Sequence, residues 1–183
     1  MLLAEDETDL LLFPPLRATW SPRGQTTEVS LSGWNARRVV FGVMNLVTGH
    51  RLFQVRLHQR AEDFQAFLKW VHGQYRGWHV TLLLDGDRSH TAKSSQALAA
   101  RLGMRLLWLP VRAPELNPMD TLWGQAKDVV NANKQYAIVD EQVDLFISYL
   151  YSLSNKEALQ TSGVLSRRFW LNRALSKNFC IPA

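Results

Sequence analysis

The 183 residues predict an α/β domain built on an open, mixed sheet, and three observations carry that prediction. Val39 to Val47 and Leu52 to Leu57 are β-branched or alternating runs separated by Thr48-Gly49-His50, which is a hairpin signal. Two largely apolar runs of buried-strand length, Val80 to Leu84 and Leu106 to Leu109, are each followed by helix-like sequence. Each of those runs also leads to an acid: Asp85 directly after the first, and Asp120 beyond a proline-punctuated loop after the second. Acids delivered to neighbouring strand ends of an open sheet stand where α/β folds place their chemistry.

Taken in order, Met1 to Ala4 is a short apolar run that meets the acids Glu5-Asp6-Glu7-Thr8-Asp9, and it is expected to open the sheet and stop there. Leu10 to Pro22 is broken by Pro14, Pro15 and Pro22 and reads as loop with at most a short edge strand. After the hairpin, Phe64, Phe67, Leu68 and Val71 follow helical spacing, with Glu62 and Asp63 in the first turn where the helix dipole favours negative charge. This aromatic stripe is core and implies no cofactor. Gly73 and Gly77 close the helix before the Val80 strand. A further helix runs through Ala97, Leu98, Ala99 and Leu102 to Gly103, and the next strand spans Met104 to Leu109. The helix after it starts with Asn117 as N-cap, Pro118 at its first position and Asp120 at its third. Val139, Val143, Phe146, Ile147 and Leu150 mark another. The tail from Tyr151 holds Lys156, Arg167, Arg168, Arg173 and Lys177 against Glu157, a basic face for a DNA backbone or a solvated surface.

Composition bounds the rest. With 46% hydrophobic and 20% charged residues the chain is an ordinary globular domain, and its net charge of +5 permits a polyanion partner without demanding one. Cys180 is the single cysteine, which excludes an intrachain disulfide and a cysteine-based zinc site. No apolar run reaches the roughly 20 residues of a membrane span, and the N-terminus lacks a basic leader, so a cytoplasmic location and no membrane partner are expected.

Each acid carries a purely structural alternative. Asp85 before Gly86 is strong turn chemistry, and Asp120 fits a capping box with Asn117. Asp120, Trp123 and Lys127 fall at i, i+3 and i+7, one stripe of a helix, so Trp123 can pack beneath the acid while Lys127 reaches along the same face. Residues 86 to 119 separate the two acids, 34 positions in all.

These words and spacings, LLLD with His90 five residues on, then Leu109-Pro110, then PELNP with Asp120, Trp123 and Lys127, resemble the catalytic core of the mariner-like DDE transposases, in particular the bacterial insertion-sequence branch. The resemblance covers about Leu2 to Leu150. It implies a ribonuclease H-like fold, a mixed five-stranded sheet flanked by helices with extra C-terminal helices. Residues 1–150 are expected as the catalytic domain and 151–183 as a basic helical extension of it. It implies Asp6, Asp85 and Asp120 as catalytic residues and metal ligands, with Glu5 and Asp9 as register alternatives for the first. Trp20 and Arg23 match the W-x-P-basic-G-Q part of an R-x-W-x-P-basic-G-Q stretch, with Arg17 one residue further ahead, and these three, with His90, Arg112 and Lys127, are candidate DNA contacts; His90 can equally serve packing or tether the loop. Three departures stand out. The third acid is Asp120 where bacterial members commonly have Glu, Gly86-Asp87 follows the second aspartate in place of Asn, and Val111-Arg112-Ala113 precede Pro114.

The chemistry fits those residues. Cutting a phosphodiester calls for stabilising both the entering and the leaving oxygen, which two divalent ions about 3.5–4 Å apart can do. Hard cations take carboxylate oxygens. Mg²⁺, with Mn²⁺ as substitute and two ions per site, is therefore the expected cofactor, with no organic cofactor. The expected function is DNA strand cleavage and 3′-OH strand transfer during transposition. The partners are element ends and a TA target, and a homodimer or synaptic oligomer is expected. Helix-turn-helix parts are expected from a separately encoded or missing segment. Two alternatives stay open: a catalytically silent truncated form that regulates a full-length transposase by oligomerisation, and an Asp-x-Asp phosphatase using Asp85 and Asp87.

Overall fold

The computed structural model of the protein describes residues 1–25 and 27–175. Strands β1 (Leu2–Leu11), β2 (Arg37–Asn45) and β3 (Arg51–Arg56) form an antiparallel meander; β4 (Thr81–Leu84) and β5 (Arg105–Trp108) add in parallel, in the order β3-β2-β1-β4-β5. Between them lie α1 (Ala61–Gln74), α2 (Arg88–Thr91) and α3 (Lys93–Arg101), and behind them α4 (Pro118–Val130), α5 (Val139–Ser152), α6 (Asn155–Thr161) and α7 (Asn172–Leu175). The mixed five-stranded sheet and the extra C-terminal helices are as expected.

Side-chain alternation on β1 sorts the two layers. Leu2, Ala4 and Leu10 face a core shared with Met119, Leu122, Trp123 and Phe146 of α4 and α5, while Leu3 joins Phe41, Val43, Phe64, Phe67 and Leu98 beneath α1 and α3. The stripe read from α1 is buried as expected, each large side chain contributing about 1.5–3 kcal/mol of burial. Ala158, Leu159 and Val164 of the C-terminal segment bury into the same core as Trp123.

The strand β1 corrects one expectation: it continues past the acids to Leu11. Its whole length is paired with β2, from Leu3↔Asn45 to Leu11↔Arg37, whereas β4 accompanies it only to Ala4↔Leu83. The backbone of the acidic stretch is thus satisfied on one edge by β2, and its other edge opens as a cleft where β4 leaves. Asp6 lies within the strand, just past that point.

The hairpin turn forms as predicted. Gly49 takes φ +75, and a Cβ there would lie 2.3 Å from the Asn155 carbonyl oxygen, so both conformation and space require glycine.

Candidate active site

Asp6, Asp85 and Asp120 all line one cleft of about 450 Å³ at the end of β4, together with Glu7, Asp87 and the 109–114 loop. Three different elements deliver them. Asp6 is an even-numbered residue of β1 and faces α4; Asp85 follows the last residue of β4; Asp120 sits in the first turn of α4.

The position of α4 is set by two hydrogen bonds to β1. Asn117 caps the helix, its Oδ1 accepting from the Met119 N–H at 3.1 Å, and its Nδ2 donates to the Glu5 carbonyl at 2.9 Å. One turn further on, the Trp123 indole N–H donates to Asp6 Oδ2 at 3.1 Å. Trp123 therefore holds the first acid of the cleft, where the helical stripe had suggested packing beneath Asp120. Its ring lies over Gly42, the β2 residue paired with Asp6, where a Cβ would come within 2.6 Å of it. Asp120 forms no capping box; the asparagine side chain caps alone.

Asp85 is held from the other side. Its Oδ1 accepts from the Asp87 N–H at 3.0 Å and pairs with His90 Nδ1 at 3.0 Å, while the side chain stays 54% exposed. His90 Nε2 lies 2.9 Å from Glu7 Oε1 and 3.6 Å from Glu5 Oε2. The chain Asp85–His90–Glu7 thus links the end of β4 to the opposite face of β1. His90 is 0% exposed, against Phe64 at 4.4 Å between ring centroids, so the DNA contact expected of it is corrected to an internal tether. Asp87 is likewise engaged: its Oδ1 accepts from both the N–H and the hydroxyl of Ser89 at 2.7 Å.

The electrostatics follow from this burial. Desolvation, with the charges of Glu7, Asp85 and Asp120 adding to it, pushes Asp6 up to about 8. Asp85 goes the other way, because its hydrogen bond with His90 favours the ionised form. Burial alone would push His90 down, but the charge of Glu5 and the hydrogen bonds to Asp85 and Glu7 outweigh it and carry the imidazole up to about 12. Glu5 is fully buried with neither carboxylate oxygen hydrogen-bonded, and desolvation raises it well above the usual range. We take His90 as the cation of this group.

A divalent cation fits the cleft. Among the described residues no arginine or lysine lies within ion-pair distance of Asp6, Asp85 or Asp120, and His90, the basic group paired with Asp85, engages a single one of its oxygens. One trio of ligand-type atoms does lie within 4.8 Å of one another, Glu5, Glu7 and His90. Its side chains are 0, 3 and 1% exposed, Glu7 alone of the three lines the cleft, and protonated His90 already supplies its positive charge.

The other DNA candidates scatter. Arg112 lines the cleft with φ 60, and Lys127 is half-buried, lowered by burial against the charges of Asp9, Asp120 and Asp6. Arg17 is paired with Asp128 at 2.7 Å, outside the cleft, and Trp20 and Arg23 are exposed on the β1–β2 connection and do not line it. Lys177 and Cys180 lie outside the described residues. Sequence reasoning named Asn117 as the cap but missed its tether to Glu5, missed Glu7 and Gly42, and assigned Trp123 to packing beneath Asp120 where it bonds Asp6. Only Glu7, one position from Asp6 on a strand whose side chains alternate, offered a hint.

The fold and the cleft together define a ribonuclease H-like domain with an aspartate-lined cleft at strand ends. Residues 1–142 match the family model described as DDE superfamily endonuclease, and the chain belongs to that family. It is 29% identical over 133 residues to the "Insertion element IS630 uncharacterized 39 kDa protein" of Shigella sonnei, covering 72% of this chain and 39% of that protein's length. Among solved structures it resembles the mariner Mos1 paired-end complex with Mg, with TM-score 0.74 and 14% identity over 98% of this chain and 56% of that one. It also resembles the Mos1 transposase catalytic domain with Raltegravir and Mn, with TM-score 0.63 and 14% identity, covering 98% and 84%. The mariner-like, insertion-sequence resemblance read from the motifs agrees with these matches.

Proposed function

We propose that residues 1–150 are the catalytic domain of an insertion-sequence transposase that cuts DNA strands at element ends and joins the 3′-OH to target DNA, with 151–183 a basic extension of the same domain. The observation that carries this is the meeting of Asp6, Asp85 and Asp120, from three separate elements, in one cleft with no arginine or lysine paired to them among the described residues. Two Mg²⁺ ions, replaceable by Mn²⁺, would be held by these carboxylates and supply charge stabilisation to the attacking and leaving oxygens.

The chain's own residues arrange the rest. His90 and the Asp87 N–H engage one oxygen of Asp85, which leaves the other free to bind. Trp123 orients Asp6 by its Oδ2, and Asn117 fixes the start of the helix that carries Asp120. A carboxylate whose own hydrogen bonds are set in advance loses less freedom when it binds, and such supporting partners are typically worth 10–100-fold in metal affinity. The target is TA-containing DNA, the working form is a dimer or synaptic oligomer, and the site of action is the cytoplasmic nucleoid. Reading of the terminal repeats is assigned to a helix-turn-helix part outside these 183 residues. No feature of the cleft favours a silent regulatory chain, since none of the three carboxylates is paired with an arginine or lysine among the described residues.

The test is nicking of supercoiled DNA by the purified chain with Mn²⁺, alongside Asp85→Asn and Asp120→Asn. Metal-dependent nicking lost in both variants is the expected result. Nicking that persists in folded Asp85→Asn, or wild-type protein that binds no Mn²⁺ by calorimetry, would sink the proposal.

A further inference from the structure

A second concavity of about 530 Å³ adjoins the cleft, and Asp87 lines both. Its walls include Arg37, His58, Arg60 and Arg88. The fold brings these together from three places at the same end of the molecule. Arg37 opens β2 on the face that Val39, Phe41 and Val43 bury beneath α1, one step beyond the covered part of the sheet. His58 and Arg60 lie on the link from β3 into α1, and Arg88 begins α2.

The two hollows have opposite charge. The cleft is lined by the acids Asp6, Glu7, Asp85, Asp87 and Asp120 against the single cation Arg112. A nucleic-acid strand laid there meets repulsion everywhere except where metal intervenes, so its affinity has to come from cations beside the cleft. The adjoining groove holds three arginines and a histidine against the single acid Asp87, one oxygen of which is engaged by Ser89. Arg60 and Arg88 are exposed and make no ion pair among the described residues, while Arg37 shares its charge with Asp9 at 2.8 Å. Guanidinium groups with free donors suit phosphate oxygens.

Building on the assignment of the cleft to DNA cleavage, we infer that this groove is a binding site for the sugar–phosphate backbone of the DNA flanking the cut. Arg60 and Arg88 are its principal phosphate contacts, and Arg37 and His58 lie along the same track. The contact is to backbone, so it adds affinity without sequence preference.

The test is fluorescence anisotropy of a labelled duplex with Ca²⁺ present, across a salt series. The Arg60→Ala/Arg88→Ala chain is compared with wild type and with Arg101→Ala/Arg105→Ala, which removes the same charge at the far edge of the sheet. Loss of two phosphate contacts is expected to weaken binding roughly 10- to 100-fold near 0.1 M salt and to flatten the log–log salt slope by about 1.8. The far-edge variant should stay within about twofold of wild type, and Arg60→Lys/Arg88→Lys, which keeps the charge and guards against a folding artefact, should retain most of the slope. Unchanged affinity in the groove variant, or an equal loss in the far-edge control, would overturn the inference. Mn²⁺ binding by the groove variant, read by calorimetry, should match wild type. If Asp85→Asn still nicks while the groove variant loses DNA, the cleavage assignment fails and the groove stands; nicking that needs Asp85, with DNA affinity indifferent to the groove, gives the reverse.

Discussion

At the scale of single residues, the cleft works through an inequality between its acids. Asp85 is held ionised by His90, while Asp6, at about 8, keeps its proton near neutrality unless a cation offsets its neighbours. The Trp123 N–H is the hydrogen bond from a side chain that favours ionised Asp6, so Trp123→Phe is predicted to lower Mn²⁺ affinity by about 10–100-fold in calorimetry at pH 7 without unfolding the chain. The same groups set a pH dependence for the metal-free protein. Folded Asp6 holds its proton up to about 8 where the unfolded chain releases it near 3.8, so raising pH across that window favours the unfolded state. Folded His90 stays protonated to about 12 where the unfolded chain loses its proton near 6.5; the stability it contributes is full below 6.5 and drains away above it. Both act in one direction, and thermal melts without metal should show Tm falling as pH rises from 6 to 9.

At the scale of elements, the critical packing is α4 on β1 and β2. Gly42 leaves room for the Trp123 ring, and α4 is pinned by Asn117 at one end of its first turn. Gly42→Ala would drive a methyl into a buried indole that has nowhere to go, and overpacking of this kind costs about 1–3 kcal/mol. It should reduce nicking more than its stability loss explains, because the displaced ring is the one bonded to Asp6. Asn117→Ala removes an N-cap and a strand tether together; a loss of about 1–2 kcal/mol in denaturant unfolding is expected. Mutating Thr121, exposed on the same helix, should do neither.

For the whole molecule, metal and fold should be linked. Because the folded state alone brings the three carboxylates together, Mn²⁺ at 100 times its Kd should add about 2.7 kcal/mol of stability. Since Asp6 must give up its proton to bind, the metal-induced rise in Tm is predicted to be greater at pH 8 than at pH 6 and to vanish in Asp85→Asn. A second long-range tie lies far from the cleft. Buried Arg51 at the start of β3 donates to the carbonyls of Leu150, Leu153 and Gly49, closing the hairpin onto the α5–α6 corner. Arg51→Leu should cost about 1–3 kcal/mol by leaving those carbonyls unsatisfied, with Mn²⁺ affinity unchanged.

The sequence by itself determined most of the elements and singled out three aspartates that the fold brings into one cleft. Strand and helix periodicities, the Asn117-Pro118 start and the glycine at the hairpin act over a few residues, and the motif words around Asp85 and Asp120 are local too. The extent of β1 was not legible, because nothing within Glu5 to Leu11 announces that β2 would pair with all of it while β4 stopped at Leu84. The roles of His90 and Trp123 were hidden for the same reason: each is defined by a hydrogen bond spanning more than 80 residues, to Glu7 and to Asp6. Only tertiary structure decided which acids face water and which are buried against an imidazolium, since burial and charge proximity, unlike helical or strand spacing, are properties of the assembled layers and of no single segment.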